Sequence, residues 1–147
     1  MKLNVKIKKV RENADIPRYA TINSAACDLT ACIDEPVLIL PHGSVTVPTG
    51  IAVAPERGDV VSLVFSRSGM GIKHGITLSN SVGVIDADYR GEIAVGLVNH
   101  SDEPYTVNPG DRIAQLMFVP VLKADFEEID SLDDTERGAG GFGSTGK

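Results

Sequence analysis

Short apolar segments separated by turn residues recur along most of the chain, and this pattern limits the fold more than any other feature. Eleven segments of three to nine residues are rich in apolar side chains. They span residues 3–10, 26–31, 37–40, 45–47, 51–54, 60–65, 76–78, 82–85, 93–98, 105–107 and 113–121. Many short strands at this spacing, with turns such as Pro41-His42-Gly43 between them, predict an all-β chain folded as a jelly-roll-like β-barrel or sandwich. At most one short helix is expected, within residues 66–73, where Gly69 and Gly71 weaken the helical pattern.

The composition changes after Val121. Residues 123–136 are acidic and poor in apolar groups, and residues 138–147 are mostly glycine and small polar residues. Such a segment buries too little apolar surface to offset the entropy lost on ordering. We therefore predict a β-rich core of residues 1–122, followed by an acidic linker and a flexible glycine-rich arm in residues 123–147.

Charge and cysteine content limit the partners and the compartment. The net charge is −6, and residues 123–137 hold seven acids and two bases, so the remainder is nearly neutral. A chain without a broad basic face is not expected to bind polymeric nucleic acid. Cys27 and Cys32 match no CxxC or zinc spacing, which favours reduced thiols in an intracellular protein. No segment is long enough to cross a membrane, so no membrane association is expected.

The stretch Ser79–Gly96, SNSVGVIDADYRGEIAVG, concentrates candidate functional groups. Two apolar runs flank an acidic tip that contains Asp86, Asp88, Tyr89 and Arg90, and this pattern predicts a β-hairpin. Gly83 and Gly91 beside the tip let the backbone approach a flat ligand closely. Aspartate and glycine are also ordinary turn residues, so a solvated turn remains an alternative.

Two further segments combine charge with strand or turn patterns. In Ala25-Ala26-Cys27-Asp28-Leu29 a carboxylate lies within a strand, where burial is costly unless the group is paired with a cation. That partner is either a structural arginine or a group at a functional site. The segment Phe65-Ser66-Arg67-Ser68-Gly69-Met70-Gly71 suits an anion such as phosphate, although serine and glycine are also ordinary helix-capping residues.

Two C-terminal segments are weaker taken alone. In Gly110-Asp111-Arg112-Ile113-Ala114-Gln115-Leu116, strand alternation predicts Ile113, Gln115 and Met117 on one face, with Arg112 able to pair with a buried carboxylate. The tail from Arg137 to Gly146 combines an arginine, hydroxyl groups, glycines and Phe142, which suits phosphate binding and ring stacking. An unstructured linker is the alternative. His42, His74 and His100 have no zinc-site spacing and are expected to be structural or surface residues.

Taken in order, these segments resemble the five motifs of the trimeric dUTP nucleotidohydrolases, the dUTPases. AACDL resembles the first motif, SRSGMG the second, NSVGVIDADYRGE the third, GDRIAQL the fourth and RGAGGFGSTG the fifth. The resemblance extends from residue 25 to residue 146. It implies a jelly roll assembled as a homotrimer, with active sites between subunits and the arm of one subunit closing over the site of a neighbour. It also implies hydrolysis of dUTP to dUMP and pyrophosphate, which limits uracil incorporation into DNA and supplies dUMP for thymidylate synthesis.

The resemblance also implies residue roles. Asp86 would hold the attacking water and act as general base toward the α-phosphorus. The base and sugar would contact Asn80, Gly83, Val84, Ile85 and Tyr89, with Phe142 capping the uracil. The phosphates would contact Arg67, Ser68, Gly69, Gln115, Arg137, Gly143, Ser144 and Thr145. Asp28 would contact Mg²⁺ through water, and Arg112 would form an orienting ion pair.

Three positions depart from the family pattern, and two other functions remain open. Ser66, Gly71 and Ala94 differ from the residues common in relatives, without removing a proposed ligand. A dCTP deaminase of the same fold and a non-catalytic, nucleotide-sensing trimer are the alternatives. The expected location is intracellular, in the cytoplasm, or in the nucleus or a host cell if the protein is viral.

Overall fold

Eleven short strands and one short helix make up the regular structure of residues 2–141, which are the residues that this computed structural model describes. The strands are β1 (Val5–Lys9), β2 (Cys27–Thr30), β3 (Val37–Ile39), β4 (Ser44–Pro48), β5 (Ile51–Pro55), β6 (Val60–Phe65), β7 (Ile76–Leu78), β8 (Gly83–Ile85), β9 (Ala94–Asn99), β10 (Tyr105–Val107) and β11 (Arg112–Pro120). The helix α1 (Ser68–His74) lies between β6 and β7. All eleven predicted strands are present, and the prediction of an all-β chain with at most one short helix is confirmed.

The strands form four antiparallel sheets. The larger sheets have the orders β2-β11-β6-β8 and β4-β9-β7, and the smaller ones are the pairs β1-β5 and β3-β10. A single buried cluster contains residues from nearly all of these strands, including Leu29, Ile39, Val64, Leu97 and Ile113. Within residues 2–141 the sheets are open. The fold is therefore the sandwich form of the prediction and not a closed barrel.

Period-two burial explains why these segments are strands. In β6 the buried residues are Val60, Ser62 and Val64, and in β9 they are Val95, Leu97 and Asn99. Successive side chains of a strand point to opposite faces, so one row from each strand faces the core. The helix after β6 stops where Gly75 adopts a left-handed conformation with φ of 67°, which glycine tolerates better than other residues.

The predicted hairpin around the acidic tip is wrong. Strand β8 pairs with β6, whereas β9 pairs with β4 and β7. The two strands that flank the tip therefore enter different sheets and are not paired with each other. Residues 86–91, here called the acidic loop, connect the edge of one sheet to the centre of another.

Regular structure ends with β11 at Pro120, and residues 122–139 are exposed. Leu122, Phe126 and Leu132 are among the exposed large apolar side chains of this segment. Met1 and residues 142–147 lie outside the described residues, and the last group includes the predicted site residues Phe142, Gly143, Ser144 and Thr145. None of the helices within residues 2–141 has the length and apolar composition needed to cross a bilayer.

Candidate active site

Asp28 on β2 is held between two arginines. Arg67 Nε donates to Asp28 Oδ1 over 3.0 Å, and Arg112 Nη1 donates to Asp28 Oδ2 over 3.2 Å. Arg67 also donates to the backbone carbonyl of Arg112 over 3.1 Å. The cation that a carboxylate inside a strand requires is therefore present twice. The three side chains together keep one excess positive charge, which suits an anionic ligand.

A register irregularity in β11 brings Gln115 beside this group. Arg112 pairs with Thr30, Ala114 with Leu29, and Gln115 with Asp28, so β11 has one extra residue between Arg112 and Ala114. In a regular strand Arg112 and Gln115, three residues apart, would face opposite sides, but a bulge restores them to the same side. We call Asp28, Arg67, Arg112 and Gln115 the arginine cluster.

The same bulge overturns one sequence prediction. Ile113 was expected to share a face with Gln115 and Met117, yet Ile113 is buried at 1% exposure while Gln115 is half-buried. The prediction assumed unbroken alternation, and the extra residue breaks it.

The turn between β6 and α1 places Ser68 and Gly69 next to the arginine cluster. The N-cap residue of the helix is Arg67, and its side chain makes no capping hydrogen bond. The hydroxyl of Ser66 accepts a hydrogen bond from the Leu78 amide over 2.8 Å and so connects this turn to β7. Ser68 and Gly69 are exposed, and a Cβ added at Gly69 would meet no described atom within 4 Å. Packing within the described chain therefore does not require a glycine at position 69.

A cavity of about 250 Å³ lies beside the acidic loop, and we call it the loop cavity. Its lining consists of Val64, Leu78, Asn80, Gly83, Val84, Ile85, Asp86, Tyr89, Glu92, Ile93, Ala94, Val95 and Gly96. All of the residues predicted to contact the base and sugar, except Phe142, are in this lining. The predicted general base Asp86 is there too. Pockets that bind small ligands typically combine apolar walls with a few polar groups in this way.

The acidic loop is held by its own backbone and side chains. The Tyr89 amide donates to the Asp86 carbonyl over 3.1 Å, and Arg90 Nη1 donates to the Ala87 carbonyl over 2.7 Å. The Tyr89 hydroxyl donates to the Glu92 carbonyl over 3.2 Å. A Cβ added at Gly91 would lie 2.5 Å from Tyr89 Cζ, so the ring packs directly on this glycine.

Sequence reasoning missed three residues of the loop cavity. Val64 and Leu78 contribute apolar surface from β6 and β7, and Glu92 contributes from the end of the acidic loop. Strand alternation marks Val64 and Leu78 as buried, but it does not show which loop packs over them. Glu92 was part of the third motif, but it was given no role.

The described contacts do not join the arginine cluster to the loop cavity. Within residues 2–141, no hydrogen bond or ion pair connects the two groups. Arg137 lies outside both groups and donates to the Gly140 carbonyl over 3.0 Å. Each chain thus provides two separate groups of the residues that the sequence predicted for one site.

Possible metal ligands are sparse in the described part of the chain. No group of three or more histidine, cysteine, aspartate or glutamate side chains among residues 2–141 is placed to hold a metal ion. Cys27 and Cys32 are free and buried, and burial raises the pKa of both thiols. Asp28 is the carboxylate of the arginine cluster, and four lone-pair positions on its two oxygens leave room for a bound water besides the two arginines.

An antiparallel β fold with a small cavity beside a carboxylate, and with a separate arginine cluster, is typical of proteins that bind nucleoside phosphates. The family model described as dUTPase matches residues 12–146. A deoxyuridine 5'-triphosphate nucleotidohydrolase from Coxiella burnetii is 47% identical over 147 residues, which are 100% of this chain and 97% of the relative. The chain therefore belongs to the dUTPase family, as the five motifs predicted.

Solved structures give the same result for the fold. The dUTPase of Staphylococcus bacteriophage 80alpha with dUPNHPP has a TM-score of 0.87 at 26% identity, covering 98% of this chain and 99% of that chain. A mutant dUTPase from phage phi11 of S. aureus, described with a structural Mg(II) ion, has a TM-score of 0.80 at 22% identity. It covers 89% of this chain and 99% of that chain, and at this identity the similarity shows the fold alone.

Proposed function

We propose that this protein hydrolyses dUTP to dUMP and pyrophosphate, by attack of water on the α-phosphorus. The observation that carries the proposal is the position of Asp86, whose carboxylate lines the same cavity as Asn80 and Tyr89. A base and sugar bound by that cavity would place the first phosphate of the nucleotide beside a carboxylate. Removal of dUTP limits uracil incorporation into DNA, and the dUMP formed is a precursor for thymidylate synthesis.

Uracil binds to Asn80 and to the backbone of Gly83, Val84 and Ile85. Strand β8 is the edge of its sheet and is paired on one side by β6, so one row of its amide and carbonyl groups has no strand partner. Unpaired backbone groups at an edge are available to hydrogen-bond a base. Groups that pair with uracil are left unpaired by cytosine, which gives strong discrimination.

Tyr89 and Asp86 act on the sugar and on the reacting phosphate. The Tyr89 ring, fixed by Gly91 and the Glu92 carbonyl, lies under the deoxyribose and leaves no room for a 2′-hydroxyl. Asp86 is exposed and accepts the proton of the attacking water as general base. A positioned base of this kind contributes about 10²- to 10⁴-fold to the rate.

The triphosphate binds the arginine cluster and the C-terminal arm. Arg67, Ser68, Gly69 and Gln115 contact the phosphates, and the excess positive charge beside Asp28 attracts them. Arg112 orients Asp28 through their ion pair. From the arm, Arg137, Gly143, Ser144 and Thr145 contact the γ-phosphate while Phe142 stacks on the uracil.

The residues of the arginine cluster fit a magnesium ion that is held mainly by the substrate. Mg²⁺ keeps several waters and binds through one or two carboxylates together with substrate phosphates. A single carboxylate flanked by arginines matches this requirement, and Asp28 would contact the ion through a water. When bound, Mg²⁺ neutralises charge on the phosphate oxygens.

We place the complete site between the subunits of a homotrimer. The arginine cluster and the loop cavity are not connected by hydrogen bonds or ion pairs within one described chain, so two copies can each supply one group. The core of residues 1–122 forms the assembly, and the arm of residues 123–147 closes over the site of a neighbour. The reduced state of Cys27 and Cys32 suits an intracellular location, which is cytoplasmic unless the protein acts in a nucleus or a host cell.

Product analysis separates this function from its alternatives. Purified protein is incubated with Mg²⁺ and with dUTP, dCTP, dTTP or UTP, and both pyrophosphate and ammonia are measured. Pyrophosphate release from dUTP, with far slower release from the other three nucleotides, is the expected result. Ammonia from dCTP would indicate a deaminase, and nucleotide binding without any turnover would indicate a sensor.

Asp86→Asn tests the proposed base. We expect kcat for dUTP to fall about 10²- to 10⁴-fold, because the amide cannot accept the proton of water. Binding of the non-hydrolysable analogue dUPNHPP should remain within a few-fold, measured by calorimetry. Asp88→Asn is the matched control, since Asp88 is exposed in the same loop and is not among the described residues that line the cavity. Equal kcat values for the two variants would overturn the assignment.

A further inference from the structure

Glu92, at the end of the acidic loop, binds two segments that are distant in sequence. Glu92 Oε1 accepts hydrogen bonds from Arg11 Nε over 2.6 Å and from the Gly50 amide over 2.9 Å. Glu92 Oε2 accepts from Arg11 Nη2 over 3.1 Å. We call Glu92, Arg11 and Gly50 the Glu92 clamp. The bidentate geometry with an arginine is the more specific form of ion pair.

The clamp is attached to a rigid part of the core. Gly50 is buried with a φ of 72°, and a Cβ there would lie 2.6 Å from Ala14 Cβ and 2.7 Å from Cys32 Sγ. The Gly50 carbonyl accepts hydrogen bonds from the amides of Val10 and Arg11, over 2.8 and 3.3 Å. Three chain segments therefore meet at Gly50 with no spare volume.

Backbone contacts extend this attachment to the residue after Glu92. The Ile93 carbonyl accepts from the Thr49 hydroxyl over 2.6 Å and from the Thr49 amide over 3.1 Å, and the Ile93 amide donates to the Ile51 carbonyl over 2.8 Å. The C-terminal end of the acidic loop is thus fixed to the start of β5. The N-terminal end is fixed separately by the pairing of β8 with β6.

The Glu92 clamp also contacts the functional part of the loop. The Glu92 carbonyl accepts the Tyr89 hydroxyl proton over 3.2 Å, and Glu92 lines the same cavity as Asp86 and Tyr89. The hydrogen bond from Arg11 lowers the pKa of Glu92, so the carboxylate stays charged at neutral pH. A displacement of Glu92 would move the Tyr89 hydroxyl and the loop that carries Asp86.

We propose that Glu92 and Arg11 are positioning residues for dUTP hydrolysis, which hold the acidic loop so that Asp86 and Tyr89 face the loop cavity. This inference rests on the proposed function. It adds two residues that act through the loop and are not required to touch the substrate. Displacing a reacting group by about 1 Å can cost about 10²-fold in rate, so a positioning contact at the end of the loop has a measurable effect.

The chain offers a matched control in Glu56. Glu56 accepts hydrogen bonds from the Asn4 amide and from Asn4 Nδ2, each over 3.0 Å. It therefore also connects the N-terminal segment to β5, but at the opposite end of the antiparallel β1-β5 pair, where Val5 is opposite Pro55. The Glu92 clamp lies beyond the other end, where Lys9 is opposite Ile51. Loss of Glu56 weakens a similar connection without touching the acidic loop.

The experiment compares Glu92→Ala, Glu92→Gln, Arg11→Ala and Glu56→Ala in the full-length protein. Two quantities are measured: the amide hydrogen exchange of residues 87–91, and kcat and KM for dUTP. For Glu92→Ala and Arg11→Ala we expect exchange in the loop to rise about tenfold or more and kcat to fall about 10- to 100-fold. Glu92→Gln keeps an acceptor for the Gly50 amide and should retain more of the rate. The Glu92→Ala/Arg11→Ala double variant should be no slower than the slower single variant, because both remove the same contact.

Glu56→Ala should leave loop exchange and kcat unchanged. Unchanged loop exchange in Glu92→Ala would overturn the inference, as would faster exchange with a wild-type kcat, or equal effects of Glu56→Ala. If the wild-type protein releases no pyrophosphate from dUTP, the proposed function fails. The exchange comparison then still decides whether Glu92 and Arg11 hold the loop.

Discussion

Tyr89 is fixed in the acidic loop by two close neighbours. Its hydroxyl donates to the Glu92 carbonyl, and its ring packs on Gly91, where a Cβ would come within 2.5 Å of Tyr89 Cζ. Position 91 therefore has space for glycine and not for a larger residue while the ring keeps its place. The glycine of the motif is explained by this contact with the tyrosine two residues earlier.

Gly91→Ala should displace the Tyr89 ring and weaken the contact with the sugar. We expect kcat/KM for dUTP to fall about 10- to 100-fold, and discrimination against UTP to weaken, because a misplaced ring no longer excludes the 2′-hydroxyl. Steady-state kinetics with both nucleotides measures this. Gly58→Ala is the control, since a Cβ there meets no described atom within 4 Å. A Gly91→Ala enzyme with wild-type kinetics on both nucleotides would show that the ring contact is not needed.

At the residue scale, the sequence predicted groups that are close together along the chain. Asp86 and Tyr89 are three positions apart, and the loop cavity contains both. The pairing of Asp28 with an arginine was also predictable, because a carboxylate in a strand requires a cation. The contact of Glu92 with Arg11 was not predictable, since the two residues are 81 positions apart and neither segment has a pattern that names the other.

Strands and helix were predictable as elements because their signals are local. Apolar runs between turn residues indicated every strand, including β6, β7 and β10 with their observed bounds. Pairing was less predictable, because period-two alternation marks a strand without naming its partner. The error at the acidic loop has this origin: proximity in sequence suggested that β8 and β9 pair, whereas their partners belong to two sheets.

Asn99 at the end of β9 connects several elements from a fully buried position. Its Nδ2 donates to the carbonyls of Ile39 and Glu103 over 3.2 and 2.7 Å. Its Oδ1 accepts from the amide and the hydroxyl of Ser101, over 2.9 and 2.8 Å. All the side-chain hydrogen-bonding groups of Asn99 are therefore used to hold β3 and the turn before β10 against β9.

Asn99→Ala should destabilise the protein by about 2–4 kcal/mol, because several buried partners lose their hydrogen bonds together. Urea unfolding at a fixed protein concentration measures the change, since the stability of an oligomer depends on concentration. The exposed Asn23 provides the control variant Asn23→Ala, which should stay within about 0.5 kcal/mol of wild type. A wild-type unfolding midpoint for Asn99→Ala would contradict this account of the buried network.

At the scale of the whole molecule, the arginine cluster and the loop cavity are distinct regions of one chain. Residues of β2, β11 and the turn after β6 form the first, and β8, the acidic loop and β9 line the second. Each region has half of the chemistry that dUTP hydrolysis requires: cationic groups for the triphosphate, or a base cavity with a carboxylate. The central claim is that a working site combines the cluster of one copy with the cavity of another.

Subunit complementation tests this claim most directly. Arg67→Gln removes an arginine from the cluster, Asp86→Asn disables the cavity, and each variant alone should be nearly inactive. The two variants are unfolded, mixed in equal amounts and refolded together, and mass spectrometry confirms assemblies that contain both chains. About a quarter of the wild-type activity per site should return, because a heterologous interface then joins an intact cluster to an intact cavity in about one site of four. Mixed assemblies with no more activity than the separate variants would contradict the account.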